Sequence, residues 1–459
     1  MPIATHTPSV TADRRAQHSL LALGGLGLIM IAFVAVAPWI LATHDYAALV
    51  PAIALSGVIT IAAARLAPCV PERSGLIVIF AMAVVMRLLL IGQEPYLSTD
   101  IYRYVWDGRV QAAGHNPYTY VPADAALTPL RDQAIYPHIN RADYAVTAYP
   151  PVAQMFFFIV TRISESLAAM RLAMVACEIA IVAALIDLLR RISLPATAVV
   201  AWAWHPLAIW EIANNGHADA LMVALLMTGV WLLVRNRRLA GAVAVALAAL
   251  VKPYAVVALP AFWRRWDWRV PAAAVAAVLV CYLPYAGAGR NVLGFLTTSG
   301  YLSEEGFTDG NGYWLVTLVR AAAGDIPGLT IAYILAGLAV MAWLALRAAW
   351  RTNATPQDTL SDIAALLMAA LFILSPNYPW YVLAVVPFAV LGGGAPAWAM
   401  TLGAILLYRP AMLPDNDLAW KTIATLPFVI AIAARVLPET LIAQRARSAN
   451  PAGGAESNP

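Results

Sequence analysis

The chain has 459 residues, of which 62% are hydrophobic and only 12% charged. Soluble globular chains carry about 25% charged residues, so this composition excludes a soluble enzyme, a disordered chain and a collagen-like chain. A formal net charge of +4 is too small to point to nucleic acid as a partner.

In chain order, apolar runs at 20–42, 47–67, 75–92, 167–189, 195–213, 218–234, 270–287, 328–349 and 418–436 reach or approach membrane-spanning length. A spanning helix needs about 20 residues for about 30 Å of hydrocarbon. Shorter runs lie at 239–262, 359–374, 380–392 and 396–408. The first run is too long for a signal peptide and lacks a clear small-residue cleavage site. No internal repeat and no soluble domain is visible. The pattern predicts an all-α polytopic membrane protein with about 12–14 transmembrane helices. Residues 1–445 form a single integral-membrane domain, and 446–459, rich in Ala, Gly, Ser, Asn and Pro, are expected to be a disordered cytoplasmic tail. Cys69, Cys177 and Cys281 lie far apart and read as packing residues rather than a disulfide or zinc set.

Cytoplasmic loops carry an excess of Lys and Arg. Arginine supplies nearly all the positive charge here, since Lys252 and Lys421 are the only lysines. Clusters occur at Arg14/Arg15, Arg65/Arg73, Arg190/Arg191, Arg235/Arg237/Arg238, Arg264/Arg265/Arg269, Arg347/Arg351 and Arg435/Arg445/Arg447. Placing them all inside puts both termini in the cytoplasm and 93–155, 214–217, 290–311, 375–378 and 409–421 outside. Segment 150–163 must then be an interfacial or re-entrant helix on the outer face. The run 239–262 has Arg clusters at both ends but is too short for two crossings: its first 13 residues, 239–251, reach only roughly 20 Å as a helix. A hairpin broken at Lys252-Pro253 follows. Irregular backbone at that depth is tolerated only where protein or a water cavity covers it, so Lys252 is expected to face a cavity.

The longest polar stretch is the outer loop 93–150. Its acidic residues, Glu94, Asp100, Asp107, Asp124, Asp132 and Asp143, lie among many tyrosines, including Tyr102, Tyr104 and Tyr149. Ser98 or Thr99 can cap a short helix ending near Gly114. That helix puts Asp100, Arg103, Tyr104 and Asp107 on one face. Carboxylates among flat rings suit a sugar, whose C–H faces stack on rings and whose hydroxyls donate to carboxylates. A capped interfacial helix with local ion pairs and an aromatic belt fits the same pattern. Asp100 sits at a helix N-terminus, which favours the ionised form that a general base needs; an ordinary N-terminal aspartate fits as well.

Asn214-Asn215-Gly216-His217-Ala218-Asp219 interrupts apolar sequence, with Glu211 just before it. Ionisable groups at this depth are costly and point to function, although a polar turn with capping residues also accounts for them. His217 and Asp219 supply two metal ligands without a clear third. Lys252 needs an anion, either a phosphate or a carboxylate such as Glu211 or Asp219. Arg87 can snorkel from the end of the third helix. The Pro-broken turn 375–381 fits a lipid groove or an aromatic belt equally well.

The stretch from Asp100 to Tyr118, DIYRYVWDGRVQAAGHNPY, resembles a motif of bacterial GT-C membrane glycosyltransferases, above all the polyprenol-phosphomannose-dependent mannosyltransferases. Tyr149-Pro150-Pro151, Gly216-His217-Ala218-Asp219-Ala220 and Lys252-Pro253-Tyr254 match the same group in the same order. The resemblance implies a GT-C-like fold in the bacterial inner membrane, with short interfacial helices in the outer loop and the active site on the outer face. It implies transfer of a sugar, mannose being expected, from a polyprenyl-phosphate donor to a glycan or lipid-linked acceptor, with inversion. It makes Asp100 the base and Lys252 and Arg103 the donor-phosphate contacts. Tyr102, Tyr104, Asp107, Asn116, Tyr149, His217 and Asp219 become sugar or acceptor contacts. No cofactor is required and no nucleic acid is a partner; a divalent metal is compatible but unsupported. Ala218 stands where relatives often have Asn, which leaves the turn's role open. A transporter or lipid flippase for a glycolipid would also accommodate broken helices and intramembrane charges, but would more naturally show paired repeats.

The Arg-based orientation is checked by cysteine labelling in an otherwise cysteine-free variant. A cysteine placed at Ala126 should react with an impermeant reagent from outside the cell and one at Asn236 should not; the reverse pattern overturns the orientation.

Overall fold

The computed structural model describes residues 10–42, 46–293, 301–408 and 417–448. Helices dominate, and no strand occurs among the described residues. Among the described residues, eight helices are long and apolar enough to cross a membrane, and seven shorter apolar helices accompany them. The all-α polytopic architecture follows directly. Charge is turned inward: Arg87, Arg171, Glu178, Glu211, Asp219 and Asp362 are buried, whereas Leu21, Leu88, Ile331, Leu335 and Trp343 are exposed. A bilayer demands this inversion, because lipid solvates apolar side chains and leaves charges uncompensated.

Helix α1 (Val10–Ala42) packs against both α2 (Tyr46–Leu66) and α3 (Glu72–Ile91), and α6 (Leu167–Arg191) lies against α3. Arg87 does not snorkel. Its guanidinium donates to both Glu178 oxygens, at 3.1 and 2.9 Å, and to the Ala203 carbonyl at 2.7 Å. It therefore ties α3 to α6 and to segment 196–214.

That segment corrects the expectation of one spanning helix at 195–213. It runs as a 3-10 turn (Ala196–Val199), two short helices, α7 (Val200–Ala203) and α8 (Pro206–Ala208), and a π-helical turn (Ile209–Asn214). Pro206 explains the main break. It cannot donate to a continuing helix and pushes His205 to extended geometry, φ −65° and ψ 128°. Every residue from 196 to 214 is buried, which is the condition under which irregular backbone survives at membrane depth.

The hairpin takes the expected form. After α9 (Asp219–Val234), α10 (Arg238–Ala249) stops, Lys252 is extended, and the 3-10 helix Pro253–Phe262 leads back. Segment 379–408 is likewise built of short pieces. Broken segments thus gather at the centre while unbroken helices such as α1, α11 (Arg269–Tyr282) and Leu329–Trp350 expose apolar faces around them.

The polar loop 93–150 holds α4 (Asp100–Ala112) and two 3-10 turns, and α5 (Pro151–Ile163) follows it. Helix α5 has 13 residues, short for a crossing, and is apolar on both faces, burying Phe157 and Val160 and exposing Ile159 and Ile163. Several Arg clusters meet one another: Arg190 pairs with Glu72 at 2.5 Å, Arg191 and Arg235 share Asp187, and Arg265 lies over Trp350. Cys69 is exposed and so is not a packing residue; Cys177 and Cys281 are partly buried, and all three are free. Of the expected tail, 446–448 continue the last helix and 449–459 lie outside the described residues.

Gly108 sets how closely α4 approaches α5. A Cβ there would lie 2.5 Å from Thr161 Oγ1 and 2.6 Å from the Phe157 carbonyl oxygen. Gly108→Ala should therefore push the helices apart at a cost of about 1–3 kcal/mol. Thermal unfolding in detergent measures this; an unchanged melting temperature contradicts it.

Candidate active site

The parts expected on the outer side converge on one cavity of about 540 Å³. The outer loop contributes Asp100, Asn140 and Tyr149, the hairpin break Lys252, and two later segments Glu305 and Trp380. Leu302, Phe307, Leu371 and Leu374 give it an apolar side.

Asp100 begins α4, and its backbone N–H donates to Ser98 Oγ at 3.3 Å, while Thr99 makes no capping bond to the helix. Asn140 Nδ2 donates to its Oδ1 at 2.9 Å and the Tyr149 hydroxyl to its Oδ2 at 3.0 Å. Burial works against its charge, but the nearby His217 ring, the Lys252 ammonium and these two donors prevail and hold the carboxyl below its ordinary value. Asp100 is thus an ionised carboxylate with 20% of its side chain still exposed.

Lys252 faces the cavity, and its Nζ is 3.3 Å from Asp219 Oδ2. The ammonium also lies over the rings of Tyr149 and Tyr381, 5.4 and 5.2 Å from their centroids. Tyr254 donates to Asp219 Oδ1 at 3.2 Å. The Leu250 carbonyl, freed by the hairpin break, accepts from the N–H groups of Val152 and Ala153 in the first turn of α5. Tyr149 joins the two charges, touching Asp100 with its hydroxyl and Lys252 with its ring.

The turn 214–219 supports this arrangement from behind. Gly216 has φ +66°, and a Cβ there would meet Ile101 of α4 at 2.5 Å, so glycine fits for both reasons. The Asn214 and Asn215 side chains accept from the N–H groups of Tyr96 and Leu97, fixing the approach to Asp100. His217 has Nδ1 3.9 Å from Asp100 Oδ2 and Nε2 3.3 Å from Glu211 Oε2, with its ring stacked on Trp380. Tyr408 donates to Glu211.

Several expected site residues are used elsewhere. Arg103 is not a cavity cation: Nε donates to Asp107 at 2.8 Å, and both terminal nitrogens to the Ala145 carbonyl at 3.2 Å. Asp107 is held by Arg103 and by Gln154 at 2.8 Å. Asn116 donates to the Tyr285 carbonyl and accepts from the Tyr118 N–H. Tyr102 donates to Glu94 and stacks on His138. Tyr104 stacks on Phe157, its hydroxyl 3.4 Å from His217 Nδ1. These five hold the loop together and do not line the cavity, whereas Asp100, Tyr149 and Lys252 do. His217 and Asp219 stand just behind it.

Sequence reasoning missed Asn140, Arg141 and Glu305, and gave the turn that holds Asn377 no polar role. Arg141 lines the cavity and pairs with Glu304, which also accepts from Tyr144 at 2.7 Å. Asn377 donates to Glu305 at 2.7 Å. Nothing in their spacing marks them, since they meet only through folding. Among the described residues, no three His, Cys, Asp or Glu side chains are grouped to hold a metal ion.

Fold and site together define an integral-membrane protein with a charged, aromatic-walled cavity beneath a structured loop. The chain belongs to the alpha-(1->6)-mannopyranosyltransferase family, whose N-terminal domain matches residues 7–267, more than half of its length. A relative from Mycobacterium tuberculosis (strain ATCC 25618 / H37Rv), named Alpha-(1->6)-mannopyranosyltransferase A, is 26% identical over 208 residues, covering 41% of this chain and 36% of the relative. The chain thus matches little more than a third of that relative's length. No solved structure matches the chain. The family match includes Asp100, Tyr149, Asp219 and Lys252, and ends before Glu305.

The Lys252–Asp219 pair sets an expectation for stability. Lys252→Met leaves a buried carboxylate uncompensated, at a cost of about 3–5 kcal/mol. Adding Asp219→Asn should recover most of that loss, as measured by thermal unfolding; failure of the double variant to recover shows that the pair is not the reason.

Proposed function

We propose that the chain is a membrane glycosyltransferase that moves a mannosyl group from a polyprenyl-phosphate donor to a hydroxyl of a glycan or lipid-linked acceptor on the outer face. One observation carries this reading: an ionised Asp100 and a cationic Lys252 face one cavity, joined through Tyr149. Family membership supports mannose as the sugar.

In the proposed step, Asp100 takes the proton of the acceptor hydroxyl. The acceptor oxygen bonds to the anomeric carbon as the bond from that carbon to the phosphate oxygen breaks. The electron pair leaves with polyprenyl phosphate, whose charge Lys252 offsets. A single displacement inverts the anomeric centre. Outer-face action rests on the Arg clusters, which favour the cytoplasm.

The test is incubation of purified protein with a panel of radiolabelled polyprenyl-phosphate sugars and acceptor glycans. Wild type should use the mannosyl donor. Asp100→Asn should reduce turnover by about 10²–10⁴, the range of general-base catalysis, while leaving donor binding and melting temperature near wild type. Near-normal turnover removes Asp100 from the role of base, and no turnover of any donor by wild type overturns the function. Asp107→Asn serves as the contrast, because it lowers melting temperature by leaving Arg103 buried without its carboxylate.

A further inference from the structure

The cavity has an end that the transfer step above does not use, lined by residues beyond the family match and backed by His217 from within it. Three rings stack in a column there. His217 lies on Trp380 with centroids 4.3 Å apart, and Trp380 lies on Tyr378 at 4.4 Å with their planes 7° apart. The inner ring stands beside Asp100, and the outer one, Tyr378, is 38% exposed. Trp380 is buried, yet its Nε1–H has no hydrogen-bond partner. Glu305 lines the same cavity; its carboxylate is buried and one oxygen accepts from Asn377.

Each feature suits the same kind of ligand. A flat exposed ring covers the C–H face of a pyranose. A carboxylate accepts from hydroxyls, and the Trp380 indole N–H has its donor uncommitted. The same set is unsuited to phosphate. Glu305 and the neighbouring Glu304, which Arg141 neutralises, place two carboxylates at this end and repel an anion. The cavity is therefore polarised. Lys252, flanked by Tyr149 and Tyr381, marks the phosphate end. Asp100 lies between, reaching Lys252 through Tyr149 and Trp380 through His217. An inverting displacement requires this order, because the acceptor oxygen must approach the anomeric carbon opposite the leaving phosphate.

We infer that Glu305, Tyr378 and Trp380 form a binding subsite for a saccharide, the acceptor of the proposed transfer. The inference rests on that reading for the word acceptor, and on the residues themselves for the word saccharide. Transfer chemistry then comes from the part of the chain before residue 267, and acceptor recognition largely from the part after 300.

The test uses full-length protein in lipid nanodiscs and a methyl mannobioside as the soluble saccharide, with binding read by saturation-transfer NMR and calorimetry, independently of turnover. Polyprenyl-phosphate binding is measured on the same samples. Tyr378→Ala and Glu305→Gln should each weaken mannobioside binding about ten-fold and leave polyprenyl-phosphate binding unchanged, a loss equal to one good contact. Tyr378→Phe, which keeps the ring, should restore most of the affinity. In turnover assays the first two variants should raise the acceptor KM and spare the donor KM. Two results overturn the subsite: wild type binding no mannobioside, which makes the column a membrane-interface aromatic belt, or Tyr378→Ala weakening polyprenyl-phosphate binding instead. Saccharide binding that depends on Tyr378, in a protein that transfers from no donor, sustains the subsite and removes the enzymatic reading.

Discussion

An ammonium and a carboxylate held 3.3 Å apart inside an apolar slab organise the centre of this protein. Neither Lys252 nor Asp219 can be buried there alone, because each without the other is an uncompensated charge. The start of α9 and the break after α10 must therefore stay together. Pro253 makes the break, and α5 stabilises it by donating two backbone N–H groups to the carbonyl that the break leaves open. The short helix α5 is thereby fixed to the hairpin, and Tyr149, just before α5, comes to rest between Lys252 and Asp100.

The other buried charges extend the same logic. Arg171 donates to the carbonyls of Ile91, Gln93 and Asn214, closing the end of α3 and the π-helical turn together. Arg87 and Glu178, joined by the Trp202 indole N–H, tie that region to α6. Such groups replace the water that irregular backbone would otherwise need. They deliver residues 94–100 to one place, so Asp100 is positioned by an arginine and two asparagines that do not line the cavity.

The two parts of the chain meet at this cavity with different kinds of side chain. The earlier part supplies ionised groups held by hydrogen bonds; the later part supplies stacked rings and a buried carboxylate. The proposed transfer uses both, one set for moving charge in the step and the other for holding a neutral, hydroxyl-rich partner in line with it.

Much was legible in the sequence alone. Hydrophobic run lengths fixed the membrane class, since hydrocarbon thickness admits few alternatives. The Arg clusters at both ends of 239–262 and the Lys-Pro pair predicted the broken hairpin, because local chain length and proline geometry decide it. Asp100 and Lys252 stood out as charges in costly places. Other points needed the tertiary structure. Arg103 and Asp107 share a helix face with Asp100, yet they pair with each other, and the free Ala145 carbonyl that completes their set is visible only after the loop folds. The run 195–213 passes as one helix by composition, but full enclosure lets it break into turns that carry Glu211 and Asn214. Glu305 carries no motif at all, and the turn 375–381 that holds Asn377 and Tyr378 reads equally well as a lipid groove or an aromatic belt. Their meaning comes from long-range packing beside Asp100, more than 200 residues away in sequence, and contacts at that separation are set by the global fold rather than by any local pattern.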